Sequence, residues 1–222
     1  MPTNSQTTTN LADRVRLWTN LRGSGFVTDA EILNIINASF ARLHDLMVLA
    51  NKDYFSTAQT ITIVSGTDAY NLDSAFYKEL FVKVLYNGDR FRLKQFPKED
   101  DGGAVVDYYS DAIAAPILAL RWRIVGDQII FRGPDGFSAP TQAGTAYLYY
   151  ARAFVRLTTG QTPAVPEGWE EYVVLDAAIA IREMRALDIS FLERQRDREE
   201  ERITRMAGFR VTSEPIGMVR RR

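Results

Sequence analysis

The sequence predicts an α+β fold: a helical bundle drawn from both ends of the chain, an inserted antiparallel β subdomain, and an extended C-terminal tail. Three observations predict it. Apolar residues recur at helical spacing near both ends, whereas period-two alternation and hairpin turns are confined to about residues 57–151. The stretch Tyr172–Ile181 is apolar nearly all round, so it needs a core on every side. From Pro166 to Arg222 the chain passes from that apolar helix to a helix of nearly unbroken charge and then to a short basic tail. That order of properties suits a subunit completed by other subunits. The expected division is a flexible arm at 1–9, a bundle from 10–56 and 164–208, an inserted β subdomain at 57–163 and a docking tail at 209–222.

The first helix is predicted from about Asn10 to Leu21, with Leu11, Val15 and Trp18 on one face, and Arg22-Gly23-Ser24-Gly25 ends it. Thr28 and Glu31 form a capping box that opens the second helix. Ile32, Ile35, Ile36, Phe40, Leu43 and Met47 then mark its apolar stripe as far as Ala50. Thr60–Val64 alternates as a strand, and Ser65-Gly66-Thr67-Asp68 reads as a turn. Asn87-Gly88-Asp89 joins Phe81–Tyr86 to Arg90–Leu93 in a hairpin, because Asn and Gly tolerate positive φ. Gly126-Asp127 joins Leu120–Val125 to Gln128–Phe131 in a second, and Ala146–Tyr150 makes a further strand. Pro166 and Glu167 open a helix over Trp169–Ala186, and Ser190 caps the last helix, which runs to about Ala207 before Gly208.

Composition excludes several classes of function. With 222 residues, 46% hydrophobic and 25% charged, the chain can bury a sizeable core. A net charge of −1 gives no global field toward nucleic acid. The absence of cysteine removes disulfides and thiolate metal sites, and a single histidine, His44, removes any site needing two imidazoles. The longest strongly apolar run, Tyr172–Ile181, is broken by Asp176 and is too short to span a bilayer. The polar N-terminus has no secretory pattern, so no membrane partner is expected.

The residues that might carry chemistry each have a plainer reading. Gly23-Ser24-Gly25 follows a helix and lacks the Gly-Lys-Ser/Thr ending of a phosphate loop, so it reads as a turn. Asp100-Asp101-Gly102-Gly103 lacks the spaced ligands of a calcium loop. His44 sits beside an apolar stripe with no nucleophile or metal partner nominated, and reads as structural. Asp176 is a lone carboxylate in an apolar helix and must find a donor or be protonated, with pairing to an arginine such as Arg14 or Arg42 expected rather than general acid–base work. Tyr108, Tyr109, Tyr147, Tyr149 and Tyr150 could form a base-stacking platform, but their sequence neighbours are not basic enough to track phosphates. No catalytic residue, cofactor or metal site is expected.

Two segments point outward instead. Glu193–Arg202 holds nine charges in ten positions, with Arg196–Glu200, Asp197–Glu201 and Arg198–Arg202 at i, i+4. It is either an exposed helix laced with weak pairs or a helix whose charges meet a neighbouring subunit. On the second reading Arg194, Arg196, Asp197, Arg198, Glu200 and Glu201 are inter-subunit residues. Beyond Gly208, Phe209, Val211, Ile216, Met218 and Val219 carry more apolar surface than a solvated tail needs, and Arg210, Arg220, Arg221 and Arg222 make it basic. These residues form the expected docking element.

Four stretches carry a resemblance. They are Phe26-Val27-Thr28-Asp29-Ala30-Glu31-Ile32-Leu33 with Ile36-Asn37, and Val64–Leu72 ending in Tyr70-Asn71-Leu72, with Asp73 where Pro is expected. The others are Trp122–Phe131 followed by Pro134, and Pro166-Glu167-Gly168-Trp169 with Ala177-Ala178. In the order helix, helix, β insertion, helix, charged helix, tail, the chain resembles the head-to-tail adaptor proteins of tailed bacteriophages, including the tail tubular protein A and head-completion families. The similarity covers roughly residues 9–207.

What the resemblance implies is a structural virion protein and not an enzyme: a ring, usually twelve-fold, docked on the portal protein by a C-terminal extension. Its lumen passes DNA, its far face receives the next tail, nozzle or stopper protein, and it lies in the neck of the virion after synthesis in the host cytoplasm. The rival readings are a tail-completion or terminator ring and, from a different class, a virion-associated wall hydrolase. The latter needs two opposed carboxylates, for which the sequence offers no obvious pair. A nucleic-acid binder would need a basic stripe that the sequence does not show.

Overall fold

A computed structural model describes residues 6–21, 25–51, 53–96, 116–133, 138–166 and 168–208. The described residues form an α+β fold with four α-helices and two four-stranded sheets. The described residues fall into two compact units, one within Met1–Tyr54 and Phe154–Arg222, the other within Phe55–Ala153.

In the helical unit α1 spans Thr8–Trp18, α2 Asp29–Ala50, α3 Glu170–Met184 and α4 Ser190–Gly208. The helix starts are set by side chains that take up free backbone donors. Thr7 accepts from the N–H of Asn10, and Thr28 and Glu31 form the expected capping box at the head of α2. The expected arm at 1–9 is therefore too long. Thr8 is buried, its N–H bonds Gln161 O at 2.9 Å and its hydroxyl bonds Thr158 O at 2.9 Å, which fixes the first turn of α1. Ser190 is the first residue of α4 rather than its cap. The capping carboxylate is Asp188, which accepts the Ser190 N–H at 3.0 Å.

The apolar helix α3 is surrounded as its composition requires: it packs against α1, α2 and α4. Val173, Val174, Leu175, Ala177, Ala178 and Ile181 are essentially inaccessible. The buried apolar residues of the neighbouring helices are Leu11 and Val15 of α1, Ile32, Ile36, Phe40, Leu43 and Met47 of α2, and Leu192 and Ile203 of α4. Each such Leu, Ile or Phe contributes about 1.5–3 kcal/mol of burial free energy. Among the described residues α2 is the one helix long and apolar enough to cross a membrane by length and composition, a feature the sequence reading passed over. Half of its apolar window is buried, and its stripe forms the core of this unit.

The return segment after residue 153 belongs to the helical unit, not to the β subdomain as its expected boundary at 163 had it. Asn37, buried on α2, holds it. Its Oδ1 accepts the Leu157 N–H at 2.7 Å, and its Nδ2 donates to Leu157 O at 3.0 Å and Leu33 O at 3.0 Å. Phe154 stacks on Phe40 with ring centroids 6.3 Å apart.

The β unit comprises β1 (Ser56–Ile63), β2 (Ala69–Asn71), β3 (Phe76–Tyr86), β4 (Asp89–Arg92), β5 (Lys94–Gln95), β6 (Arg121–Val125), β7 (Gln128–Arg132) and β8 (Gly144–Arg152). The sheets run β1-β8-β3-β4 and β2-β7-β6-β5. Their inner faces share one core, with Ile61, Ile63, Val82, Val84, Ala146 and Leu148 from the first and Trp122, Ile129 and Phe131 from the second. Both predicted hairpins form, and Asn87 (φ 51°) and Gly88 (φ 87°) adopt the left-handed conformation a two-residue turn demands. One pair departs from the expected antiparallel arrangement: β5 runs parallel to β6, Lys94 opposite Arg121. A short 3-10 turn, Pro116–Ala119, precedes β6.

Candidate functional site

The buried carboxylate of Asp176 is the charged centre of the helical unit. Its side chain on α3 is 3% exposed. Arg42 of α2 donates Nη1 to both oxygens at 2.9 and 3.0 Å, and the Ser39 hydroxyl donates to Oδ2 at 2.7 Å. From α4 the Arg196 Nη1 stands 3.8 Å from Oδ1. The expected choice between two arginines resolves to Arg42. Arg14 instead pairs with Glu171 and bonds Gln6 at 2.8 Å. The lone pairs of Asp176 are thus committed to ties between three helices. Beside them the Tyr172 phenol is pushed up to about 12, first by burial and then by the nearby carboxylates of Asp176 and Glu200.

Ser39 and Arg196 were not foreseen as partners of Asp176. The one sequence signal was a small hydroxyl within the buried stripe of α2; the contribution of α4 needed the tertiary fold. His44 is buried, lies 6.3 Å ring to ring from Phe154, and has Nδ1 3.7 Å from the Asp45 carboxylate. Among the described residues no group of His, Asp and Glu is arranged to hold a metal ion.

The charged helix α4 buries only Leu192, Ile203 and Ala207. Arg194, Asp197, Arg198 and Glu201 are exposed, while Arg196 and Glu200 are half-buried. Of the i, i+4 set only Arg196–Glu200 joins opposite charges, and the pairs that form are others. Arg196 bonds Asp197 at 2.8 Å instead of Glu200, Arg202 bonds Glu199, and Glu201 takes Arg205. Arg194 donates to Ser190 O at 3.1 Å. The hydrogen bond to Asp197 above all, with Asp176 beyond it, holds the Arg196 guanidinium above the ordinary arginine range. Arg196 therefore serves its own chain, and the outward charges are Arg194, Arg198 and their exposed neighbours. The tail residues Phe209, Arg210, Val211, Ile216, Met218, Val219, Arg220, Arg221 and Arg222 lie outside the described residues, as do Asp100–Gly103, Gly23, Ser24, Tyr108 and Tyr109.

The remaining tyrosines divide between two faces of one strand. Tyr150 points inward and is buried, and its phenol is raised by that burial and by a hydrogen bond to Asp73. Tyr147 and Tyr149 alternate with it and stand on the outer face of the sheet. There the strand neighbours bring what the sequence neighbours lack. Lys83 of β3 lies 5.2 Å from the Phe81 ring centroid and 5.4 Å from that of Tyr149, and Arg92 of β4 lies 5.1 Å from Phe81. Arg90 of β4 lies 4.3 Å from Tyr147 and donates to the Tyr149 hydroxyl at 3.0 Å.

The geometry is that of a scaffold whose buried charges tie helices together and whose open faces carry charge and rings. A comparison with curated proteins returns no match. A protein-family model described as SU10 adaptor protein matches residues 6–215, a span that takes in all four helices and the whole β insertion, and the chain belongs to this family of phage head-to-tail adaptors.

Proposed function

We propose that this protein is a structural component of the phage virion, a head-to-tail adaptor that joins other head and tail proteins at the neck. The observation that carries this reading is the family match across nearly the whole chain. In the finer form of the reading, copies of the chain form a ring, twelve-fold as in the similar adaptors, below the portal protein. DNA passes through the lumen, and the far face receives the next tail protein. The ring assembles after synthesis in the host cytoplasm.

Two features support that form. Glu193–Arg202 presents Arg194 and Arg198 to solvent on a helix with only three buried side chains, as suits a helix lying at a subunit boundary where charge sets register. Residues 209–222 combine five apolar side chains with a net charge of +3 and contain Pro215 and Gly217. Such a segment gains order by binding, with apolar anchors supplying affinity and arginines supplying orientation. We assign it to docking on the portal.

The test is co-sedimentation with portal protein. Full-length protein binds, and a chain ending at Gly208 stays folded and soluble but no longer sediments with portal. Undiminished binding by the shortened chain moves the docking surface to the helices or β loops. The companion variant Arg194→Glu/Arg198→Glu spares folding and impairs ring formation seen by electron microscopy. Arg196 is left intact because it serves the Asp176 cluster.

A further inference from the structure

We propose that the outer face of the sheet β1-β8-β3-β4 is a phosphate-contact surface for duplex DNA, formed by Lys83, Arg90 and Arg92 held over the rings of Phe81, Tyr147 and Tyr149. The reading rests on the adaptor function only for the source of the DNA. The binding itself follows from the face.

Alternation places these side chains opposite the core. Val82, Val84, Ala146 and Leu148 point inward, so Phe81, Lys83, Tyr147 and Tyr149 point outward. Register brings them together: Tyr149 stands opposite Phe81, Tyr147 opposite Lys83, and Lys83 opposite Arg92. Arg90 reaches over β3 to the ring of Tyr147 on β8. Arg90 and Arg92 are exposed and Lys83 half-buried. Among the described residues no carboxylate forms an ion pair with any of the three, although most arginines of α4 have one. Three unneutralised cations on one sheet face of a chain with net charge −1 are a local positive field.

The rings determine how an anion is met. Each of the three has a cation over it, which takes a ring face that a base would need, so a single-strand stacking platform is disfavoured. A guanidinium lying over a ring keeps its N–H edge outward. Arg90 is further fixed by the Tyr149 hydroxyl, so little side-chain freedom is lost when it takes an oxyanion. Arg90 and Arg92 are two residues apart on one strand, which spaces their Cα atoms by about 6.8 Å along the sheet. This array suits a row of backbone phosphates read without regard to sequence. A second copy is the weaker occupant, because its helix α4 neutralises Asp197, Glu199 and Glu201 within the chain.

The experiment measures fluorescence anisotropy of a labelled mixed-sequence duplex with full-length protein over a range of sodium chloride concentrations. Three phosphate contacts predict a slope of log K against log salt of about −2.7, and each cation removed makes it shallower by about 0.9. Lys83→Ala/Arg90→Ala/Arg92→Ala abolishes binding at low salt while far-UV circular dichroism is unchanged. Tyr147→Leu keeps the charge count and hence the slope, but weakens binding at every salt concentration by removing the platform under Arg90. Four results each overturn the proposal: no binding of duplex at low salt, binding undiminished in the triple variant, severalfold preference for the matched single strand, or binding of polyglutamate without binding of DNA. Co-sedimentation with portal is read in parallel, so loss of this inference is distinguishable from loss of the adaptor reading.

Discussion

Replacing Arg42 by Ala tests whether the Asp176 cluster holds the helical unit together. The carboxylate is 3% exposed and would keep the Ser39 hydroxyl at 2.7 Å, with Arg196 next nearest at 3.8 Å. Stranding a buried ion by removing its partner costs about 3–5 kcal/mol. The Arg42 side chain is 63% exposed, so water already screens the pair and the expected cost falls to about 2–3 kcal/mol. The mirror variant, Asp176→Asn, strands no charge, because Arg42 can turn to water and the amide oxygen still accepts one hydrogen bond. Its cost is that of weakened hydrogen bonding, about 1–2 kcal/mol. The double variant should then cost less than the sum of the singles by about 1–2 kcal/mol, since the carboxylate that Arg42→Ala strands is no longer there. Urea unfolding followed by far-UV circular dichroism reads all three as shifts in midpoint at constant m-value. If Arg42→Ala lies within about 0.5 kcal/mol of the parent, or the two changes simply add, the pair is not the tie described here.

Two further outcomes follow from local geometry. Gly144 begins β8 where a Cβ would come within 1.9 Å of Ile117 Cδ1. Gly144→Ala should destabilise by about 1–3 kcal/mol, and adding Ile117→Ala should recover part of the loss, because the obstructing atom is the end of one side chain. Equal stability of the glycine and alanine forms in urea would contradict this packing. The Asp188 carboxyl is held below its ordinary value chiefly by the Ser190 backbone N–H, with Ser190's side chain and Arg182 and Arg194 adding to it. Its contribution to α4 is therefore full above about pH 4, the unfolded carboxylate range, and is lost as pH falls through the lower folded value. A carboxyl titration by NMR should place its midpoint below that of an Asp188 peptide, and a midpoint at or above it would remove the cap.

The local chemistry of each element was legible without coordinates. Thr28 with Glu31, Asn87 with Gly88 and the stripe Ile32 to Met47 act over a few residues, so neighbours in sequence are neighbours in space. The nearly all-round apolar character of Tyr172–Ile181 also announced that α3 would be enclosed, because no single packed face could cover it. The family resemblance was legible for the same reason: it rests on turns, caps and helix openings, each a short-range signal. Where the reading failed, the deciding contact was long-range. The arm at 1–9 lost its end to α1 because Thr8 bonds Thr158 and Gln161, and the segment after residue 153 left the β subdomain because Asn37 captures Leu157. Sequence could say that Asp176 needed a donor and name Arg42 or Arg14 for it, but could not choose between them or foresee that Ser39 and Arg196 would gather there too. The outer sheet face is the plainest instance. Tyr147 and Tyr149 have no basic neighbours along β8 until Arg152, and only strand pairing brings Lys83, Arg90 and Arg92 over them. A strand's chemistry is set by the residues across from it as much as by those beside it in the chain, and register is a property of the folded sheet.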